Sequence, residues 1–414
     1  MMTNPSFICD FLNDYGYLDP RVVFTRPSTG TFVDRAGIIR TRPFNAPRFG
    51  FQPLTGLPMG LRVDAAATNL VPWSEDITKW NTNVVTITAN SAVAPDGNTT
   101  ADLVTATGTG PYVSVQNMTI TAGTMCVFTV FLQKGASNFA SLNFNDGTNV
   151  PTVWFDLNAG TILSHTGGGT NCLYSGATIE PYSNGWFRCS LAVTTATVTT
   201  VAAGVHPAQG DGGTGLSGNS VAVWGGMMTS GATSPPYWGV RSYVPTLGGV
   251  SVIRNQETVT IPLPDPTWFD PNQGTQFIEC SNPPGGGGSV FFAGSNTGIF
   301  GVDSIGFSMN WQGDPTLTKT VSASLYAASV AQALTNDTLT LAFDQPIRAA
   351  LAYKQGEIVV LCVNGRTPVT TAVPANWPAP PNRFNIGQQA GLDIRRFAYF
   401  PRKLSNAQLQ KITL

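Results

Sequence analysis

Charge is what this sequence has least of. Lys, Arg, Asp and Glu together make 11% of 414 residues, against roughly a quarter in average soluble proteins. Six residues are Lys and five are Glu. Long helices need such side chains on their wet faces, so coiled coils and helical bundles are excluded. Histidine is scarcer still: His165 and His206 are the two present, each set among Gly, Thr and Ala, and both read as surface-loop residues. No GxSxG, HExxH, P-loop or helix-opening GxGxxG occurs. Glu75, Glu180, Glu257, Glu279 and Glu357 are scattered, with no pair on one strand face of the kind glycoside hydrolysis uses. A catalytic triad from distant segments stays compatible with the sequence, but nothing points to one. The expectation is a protein that is not an enzyme and needs no cofactor.

Other absences narrow the class further. Cys9, Cys126, Cys172, Cys189, Cys280 and Cys362 show no CxxC spacing, which argues against a zinc knuckle or disulfide framework and for buried free thiols. No run approaches the ~18 apolar residues of a membrane span. Asp10 and Asp14 interrupt the place where a signal peptide would have its apolar core, so synthesis in a cytosol is expected. A net charge of −1 and pI near 6.1 give no global attraction to nucleic acid or anionic lipid.

What the chain does have is 44 Gly, 30 Pro and 50 Thr, with 23 Phe, 9 Trp and 10 Tyr. That is enough apolar and aromatic matter for a packed interior, in short strands and many turns. The fold class expected is all-β: tandem antiparallel β-sandwiches, for which the jelly roll is a common form, preceded by an extended N-terminal arm and closed by one short C-terminal helix. Residues 1–61 have Pro or Gly every few positions and read as an anchoring arm, with a small hairpin turning at Asp34–Gly37 between Val33 and Ile38. Residues 62–245 read as one sandwich, with strands at 83–89, 125–133, 152–157, 186–194 and 220–229. A boundary falls in "SYVPTLGGVSVIRNQ", and residues 246–414 read as a second sandwich. Ser405 followed by Gln408, with Leu404 and Leu409 flanking, is a capping box with its hydrophobic staple, hence the terminal helix.

Charge is unevenly distributed. Residues 1–62 carry +3, 63–245 carry −5 and 246–414 carry +1. A basic arm before an acidic domain suggests docking, with Arg26, Arg40, Arg42 and Arg48 meeting carboxylates or carbonyls of a partner or symmetry copy. Phe24, Phe32, Ile38, Ile39, Phe44, Phe49 and Phe51 are too many for a solvated tail and require a surface, either a partner's or the chain's own sandwich. Trp154, Trp186 and Trp224 lie inside strand patterns and read as core. Trp311 and Trp377 read as loop aromatics that stack on sugar, helped by Asn310, Asp314 and Asn376. Asp96, Asn98, Asp102 and Asp211 offer oxygens for a hard cation, but their spacing misses the EF-hand pattern and turn chemistry explains them equally, so no metal site is assigned.

Three stretches, in order, resemble the opening of a widespread group of tailed-bacteriophage virion proteins, the head-spike and tail-fibre family. They are "FTRPSTGTFVDRAG" (Thr25, Arg26, Ser28, Thr29, Gly30, Thr31, Asp34, Gly37), "NAPRF" (Asn45, Pro47, Arg48, Phe49) and "TNL" (Thr68, Asn69, Leu70). Further on, "APDGNTTAD", "VWFDLNAGT", "GWFRCSL" and "SYVPT" look like that family's carbohydrate-binding-module-like sandwich. "ALAYKQGEIVVLCVNGR", "RFNIG" and "FAYFPRKLSNAQLQKIT" look like its concanavalin-type lectin domain. Met227 and Met228 after Gly225 and Gly226, and the extra residues 235–241, depart from the family pattern at the interdomain connection.

The resemblance implies a structural virion protein, a compact head or tail spike, fibre or capsid-decoration component on the virion surface. It would be held by its arm to other capsid or tail proteins and would present its sandwiches to a host surface polysaccharide. A homo-oligomer is implied, a trimer among the options, with no nucleic acid bound and no membrane insertion. A virion-associated polysaccharide depolymerase and a free glycan-binding module are the alternatives.

Overall fold

The computed structural model describes residues 4–13, 16–232, 242–263, 268–281, 288–295, 302–311, 318–341, 345–388 and 391–414. Every strand pairing in the two sandwiches is antiparallel, and Asn406–Thr413 is the α-helix among the described residues.

The first sandwich packs a seven-stranded sheet on a six-stranded one. In spatial order the larger holds Gly168–Gly169, Cys172–Pro181, Trp186–Thr195, Met125–Lys134, Ser220–Ala232, Ala101–Ala106 and Val85–Ala92. The smaller runs Thr161–Thr166, Thr152–Asp156, Phe139–Asn145, Thr200–Ala208, Tyr112–Thr119 and Asn81–Asn83. Alternation sends one side chain in two inward. Phe128, Val130, Leu142, Phe144, Phe155, Leu191 and Val205 meet between the sheets, all buried.

The second sandwich is not confined to residues 246–414, and the arm is not an arm. Phe7–Asp10 and Pro58–Val63 both pair with Leu392–Phe400, and Arg48–Phe51 pairs with Pro58–Val63, so three N-terminal strands complete the eight-stranded sheet. Val23–Thr25 pairs with Thr258–Pro262 at the edge of the facing seven-stranded sheet. Phe7, Phe11, Phe24, Phe49 and Leu61 therefore share one core with Ile278, Phe307, Phe384 and Tyr399. Of the apolar residues that demanded a surface, Phe24, Ile39 and Phe49 are buried within the chain, Phe32, Ile38 and Phe51 are partly buried, and Phe44 stays exposed. Gly60 marks how closely these strands approach: its φ is +104°, and a Cβ there would lie 2.1 Å from the Ile394 carbonyl oxygen.

The expected hairpin forms, Gly30–Val33 against Ile39–Arg42, with the Asp34 carboxylate accepting from the Ala36 and Ile38 amides at 2.9 and 3.0 Å. It lies on the outer face of the first sandwich's seven-stranded sheet. There Ile39 joins Phe131, Tyr182, Trp186, Trp224, Met227, Tyr243 and Val244 in a buried cluster. Trp186 and Trp224 are buried as expected, under the hairpin and linkers rather than between the sheets. The chain enters the first sandwich through Ala67–Asn69 and leaves it through Val252–Arg254, and these two linker strands pair with each other.

The C-terminal helix is capped as its sequence requires, Gln408 Oε1 accepting from the Ser405 amide at 3.0 Å, and Leu404 and Leu409 are buried with Phe277, Cys362 and Phe400 on the outside of the eight-stranded sheet. All six cysteines are free and buried.

Candidate functional site

The docking arginines separate into two groups. Arg26 and Arg48 are fully buried, which corrects the expectation that they meet a partner. Glu257 accepts from Arg26 Nη1 at 2.6 Å and from Arg48 Nε and Nη2 at 2.8 and 2.5 Å. Asp64 accepts from Arg48 at 2.8 Å, Arg62 at 3.0 Å and Arg254 at 2.5 Å, and its carboxyl is held well below the usual carboxylate range by Arg254, Arg62 and Arg48 against the cost of burial. Arg62 also bonds both oxygens of Asp393 at 3.0 Å. Four guanidiniums and three carboxylates thus sit where the N-terminal strands, both linkers and the second sandwich converge. Arg40 is an exposed partner of Asp34 at 2.9 Å, and Arg42 lies over the Phe32 ring at 5.1 Å.

Beside this cluster a cavity of about 320 Å³ opens between the hairpin, the Gly50–Thr55 segment and the first sandwich. Phe32, Phe51, Leu54, Tyr182 and Tyr243 supply apolar walls, and Arg62, Asp393, Glu180 and Arg188 the charged ones. Arg62 and Asp393 already satisfy one another, and Glu180 and Arg188 are register neighbours on adjacent strands.

The sugar-stacking residues expected from sequence do not assemble into a site. Trp311 ends the strand Ser304–Trp311 rather than lying in a loop, and of Asn310 and Trp311 the backbone alone is described, opposite Thr320 and Lys319. Asp314 lies outside the described residues. Asn376 is exposed and bonds Gln332, and Trp377 is half-buried against the second core. The Trp377 indole N–H donates to the Pro271 carbonyl at 3.2 Å and its ring faces Tyr353 at 6.2 Å, so it packs rather than presents a platform. The candidate cation ligands serve turns: Asp96 accepts from the Asn98 amide at 2.9 Å, Asp102 from the Ile77 and Asn90 amides, and Asp211 from the Ser164 amide. Among the described residues no group of three His, Cys, Asp or Glu could hold a metal ion.

A different constellation stands on the outer face of the six-stranded sheet. Cross-strand register sets Trp154 opposite Ser141, Ser141 opposite His206 and Tyr112 opposite Asn83, with the Tyr112 and His206 rings 5.5 Å apart. One residue pair along, Thr152 faces Asn143, Asn143 faces Gly204, Gly204 faces Ser114 and Ser114 faces Asn81. All alternate with the core residues Val153, Leu142, Val205 and Val113, so all point outward. A row of rings therefore runs beside a row of amides and hydroxyls, across five strands and roughly 19 Å at ordinary strand spacing.

Gly204 opens the floor between the rows, where a Cβ would come within 2.7 Å of Asn143 Oδ1 and 3.4 Å of His206 Nε2. Trp154, read from sequence as core, is half-exposed, its N–H held by the Gly213 carbonyl at 2.9 Å. His206, read as a loop residue, lies in a strand and is pushed down to about 4 by burial, so it is neutral at pH 7. His165 also lies in a strand, exposed at the sheet edge, stacked on Tyr174 at 3.8 Å. Register, which brings Trp154, His206 and Tyr112 together, has no signature in the sequence of any one strand.

Fold and face together define a tandem β-sandwich chain with a ring-and-amide outer face, on which Asn81 and Asn83 are exposed, Trp154, His206, Tyr112, Asn143 and Thr152 are partly exposed, and Ser114, Ser141 and Gly204 are buried between them. No family model and no curated protein sequence matches the chain. Among solved structures it is similar to the Ruminococcus gnavus IT-sialidase CBM40 bound to α2,3-sialyllactose, at 15% identity over 34% of this chain and 82% of that one, TM-score 0.27. It is also similar to the botulinum neurotoxin serotype D binding domain, at 8% identity over 38% of this chain and 40% of that one, TM-score 0.29. A third is the native heptameric SAP-like pentraxin from Limulus polyphemus, at 10% identity over 34% and 70%, TM-score 0.27. Likenesses this partial carry no functional argument.

Proposed function

We propose that this chain is a glycan-contacting structural protein of a tailed-phage virion, which binds a host surface polysaccharide on the outer face of the six-stranded sheet of its first sandwich without cleaving it. One observation carries the glycan reading. Pyranose rings present C–H faces that stack on aromatic rings and hydroxyls that need paired donors and acceptors, and the Trp154–His206–Tyr112 row beside Thr152, Asn143 and the exposed Asn81 offers both, in line.

The virion setting rests on the sequence resemblance, and the structure supplies a reason for its motifs. Arg26 and Arg48 form the buried cluster, Asn45 Oδ1 accepts from the Arg26 amide at 2.8 Å, and Asn69 Nδ2 donates to the Gly226 and Val244 carbonyls at 3.0 and 2.8 Å. These residues seat the first sandwich on the second. In this reading docking to neighbouring virion proteins falls to Phe44, Leu54 and Leu57, which are exposed, since Arg26 and Arg48 are not.

The test is binding of the full chain to an array of bacterial surface polysaccharides, followed by titration calorimetry on the hits. Trp154→Ala should weaken binding at least tenfold, about 1.4 kcal/mol, with unchanged circular dichroism. Unchanged affinity in that variant would remove the face from the reading, and absence of the chain from purified virions of the phage encoding it would remove the setting.

A further inference from the structure

We infer that the outer face of the six-stranded sheet of the first sandwich selects uncharged glycan chains, hexose or N-acetylhexosamine polymers, and rejects those bearing carboxylate, phosphate or sulfate. The inference rests on the reading of that face as a glycan surface and adds the class of sugar it takes.

None of the six strands Asn81–Asn83, Tyr112–Thr119, Phe139–Asn145, Thr152–Asp156, Thr161–Thr166 and Thr200–Ala208 contains a Lys or Arg. Nor do the joining segments 107–111, 146–151, 157–160 and 209–219, which instead bring Asp146 and Asp211 to the rim. Two cations lie nearby without entering the rows: Lys134, from the other sheet, reaches the 157–160 turn, where Asn158 Oδ1 takes its ammonium at 2.7 Å, and exposed Lys79, two residues before Asn81, has its ammonium 6.0 Å from the Trp73 ring. His206 contributes no charge at neutral pH, since burial holds it in the neutral form. His165 stands opposite Val153, in the register of the inward-facing residues, and stacks on Tyr174 instead of joining the rows.

The rows hold amides and hydroxyls, donors and acceptors matched to sugar hydroxyls. An anionic sugar set on them would give up water around its charge and gain no cation in exchange. The acidic rim adds repulsion, strongest at low salt where screening is least.

The experiment uses the full chain on an array of neutral and anionic bacterial glycans at equal density. The neutral hit is then converted at its primary hydroxyls to carboxylates and titrated again beside the parent. Expected are hits among uncharged glycans, a carboxylated derivative at least tenfold weaker, and a gap that widens as salt is lowered from 150 to 20 mM. Asn83→Lys, at the exposed end of the ring row, should narrow that gap at least threefold. Equal or tighter binding of the carboxylated form would overturn the inference. So would hits confined to acidic glycans that vanish in Trp154→Ala, although these would leave the glycan reading standing. No hit of either kind would overturn the reading itself.

Discussion

Glu257→Gln should cost the protein about as much stability as one substitution can. The carboxylate accepts four hydrogen bonds, from Arg26 Nη1 at 2.6 Å, Arg48 Nε at 2.8 Å, Arg48 Nη2 at 2.5 Å and the Asp64 amide at 2.8 Å, and both guanidiniums are fully buried. Glutamine keeps one oxygen, which can accept two of the four, and turns an NH₂ toward the other two donors. Losing two charge-assisted bonds at about 1.5–3 kcal/mol each gives roughly 3–6 kcal/mol. Breaking a buried ion pair from one side typically costs about 3–5 kcal/mol, so the two routes agree. The assay is guanidinium unfolding followed by tryptophan fluorescence and far-UV circular dichroism, fitted phase by phase because two sandwiches need not unfold together. A double-mutant cycle with Arg26→Met should return a coupling of about 1 kcal/mol or more. A loss below about 1 kcal/mol in every phase would refute the reasoning, because the cluster would then be solvated enough to do without its carboxylate.

Deletion of residues 1–63 removes four strands of the second sandwich together with Phe7, Phe49 and Leu61, so the remainder should be insoluble or lack a cooperative transition; a soluble remnant with native near-UV dichroism would contradict the pairing. His206 sits below its unfolded value of about 6.5, so the unfolded chain binds more protons between pH 6.5 and 4, and its contribution is complete above pH 6.5 and drains away toward pH 4, by up to about 3 kcal/mol. His206→Gln should flatten the stability profile across that window, as read from urea midpoints at pH 7 and 4.5. The thiols are buried, with Cys172 pushed up to about 12 and Cys189 raised well above the ordinary thiol value, both by burial; native protein at pH 8 should react with a thiol reagent far more slowly than protein in denaturant, and stoichiometric native labelling would show these cysteines to be accessible.

Local signals carried well from sequence to structure. The strand read at 125–133 is Met125–Lys134, that at 186–194 is Trp186–Thr195, the Asp34 hairpin forms, and Ser405 with Gln408 caps the last helix. Each depends on residues within about ten positions of one another. What failed depends on partners far away. Nothing within residues 1–61 says that Phe7 will face Tyr399 or that Arg26 will meet Glu257, and a stretch rich in Phe, Arg and Pro shows that it needs a surface without showing whose. The ring row was hidden for the same reason. Trp154 sits in an alternating strand whose two faces are told apart only by what lies across them, and its neighbours Ser141 and His206 come from two other strands. Trp377 misled in the opposite direction: Pro and Asn around it signal a loop, but the loop folds down onto Tyr353.

The pairing of Ala67–Asn69 with Val252–Arg254 makes the chain a sentence with a parenthesis. The second sandwich begins at Phe7 and closes at Phe400, and the entire first sandwich is spoken in between. During synthesis the inner unit can complete its two sheets while the outer strands Phe7–Asp10, Val23–Thr25 and Pro58–Val63 still wait for partners some two hundred or more residues downstream. Because entry and exit lie side by side, the inner sandwich could be exchanged for another whose ends meet in the same way, leaving the outer frame closed. Such an exchange would give one frame many binding faces, limited chiefly by whether the newcomer offers the hairpin a surface as apolar as that around Trp186 and Trp224.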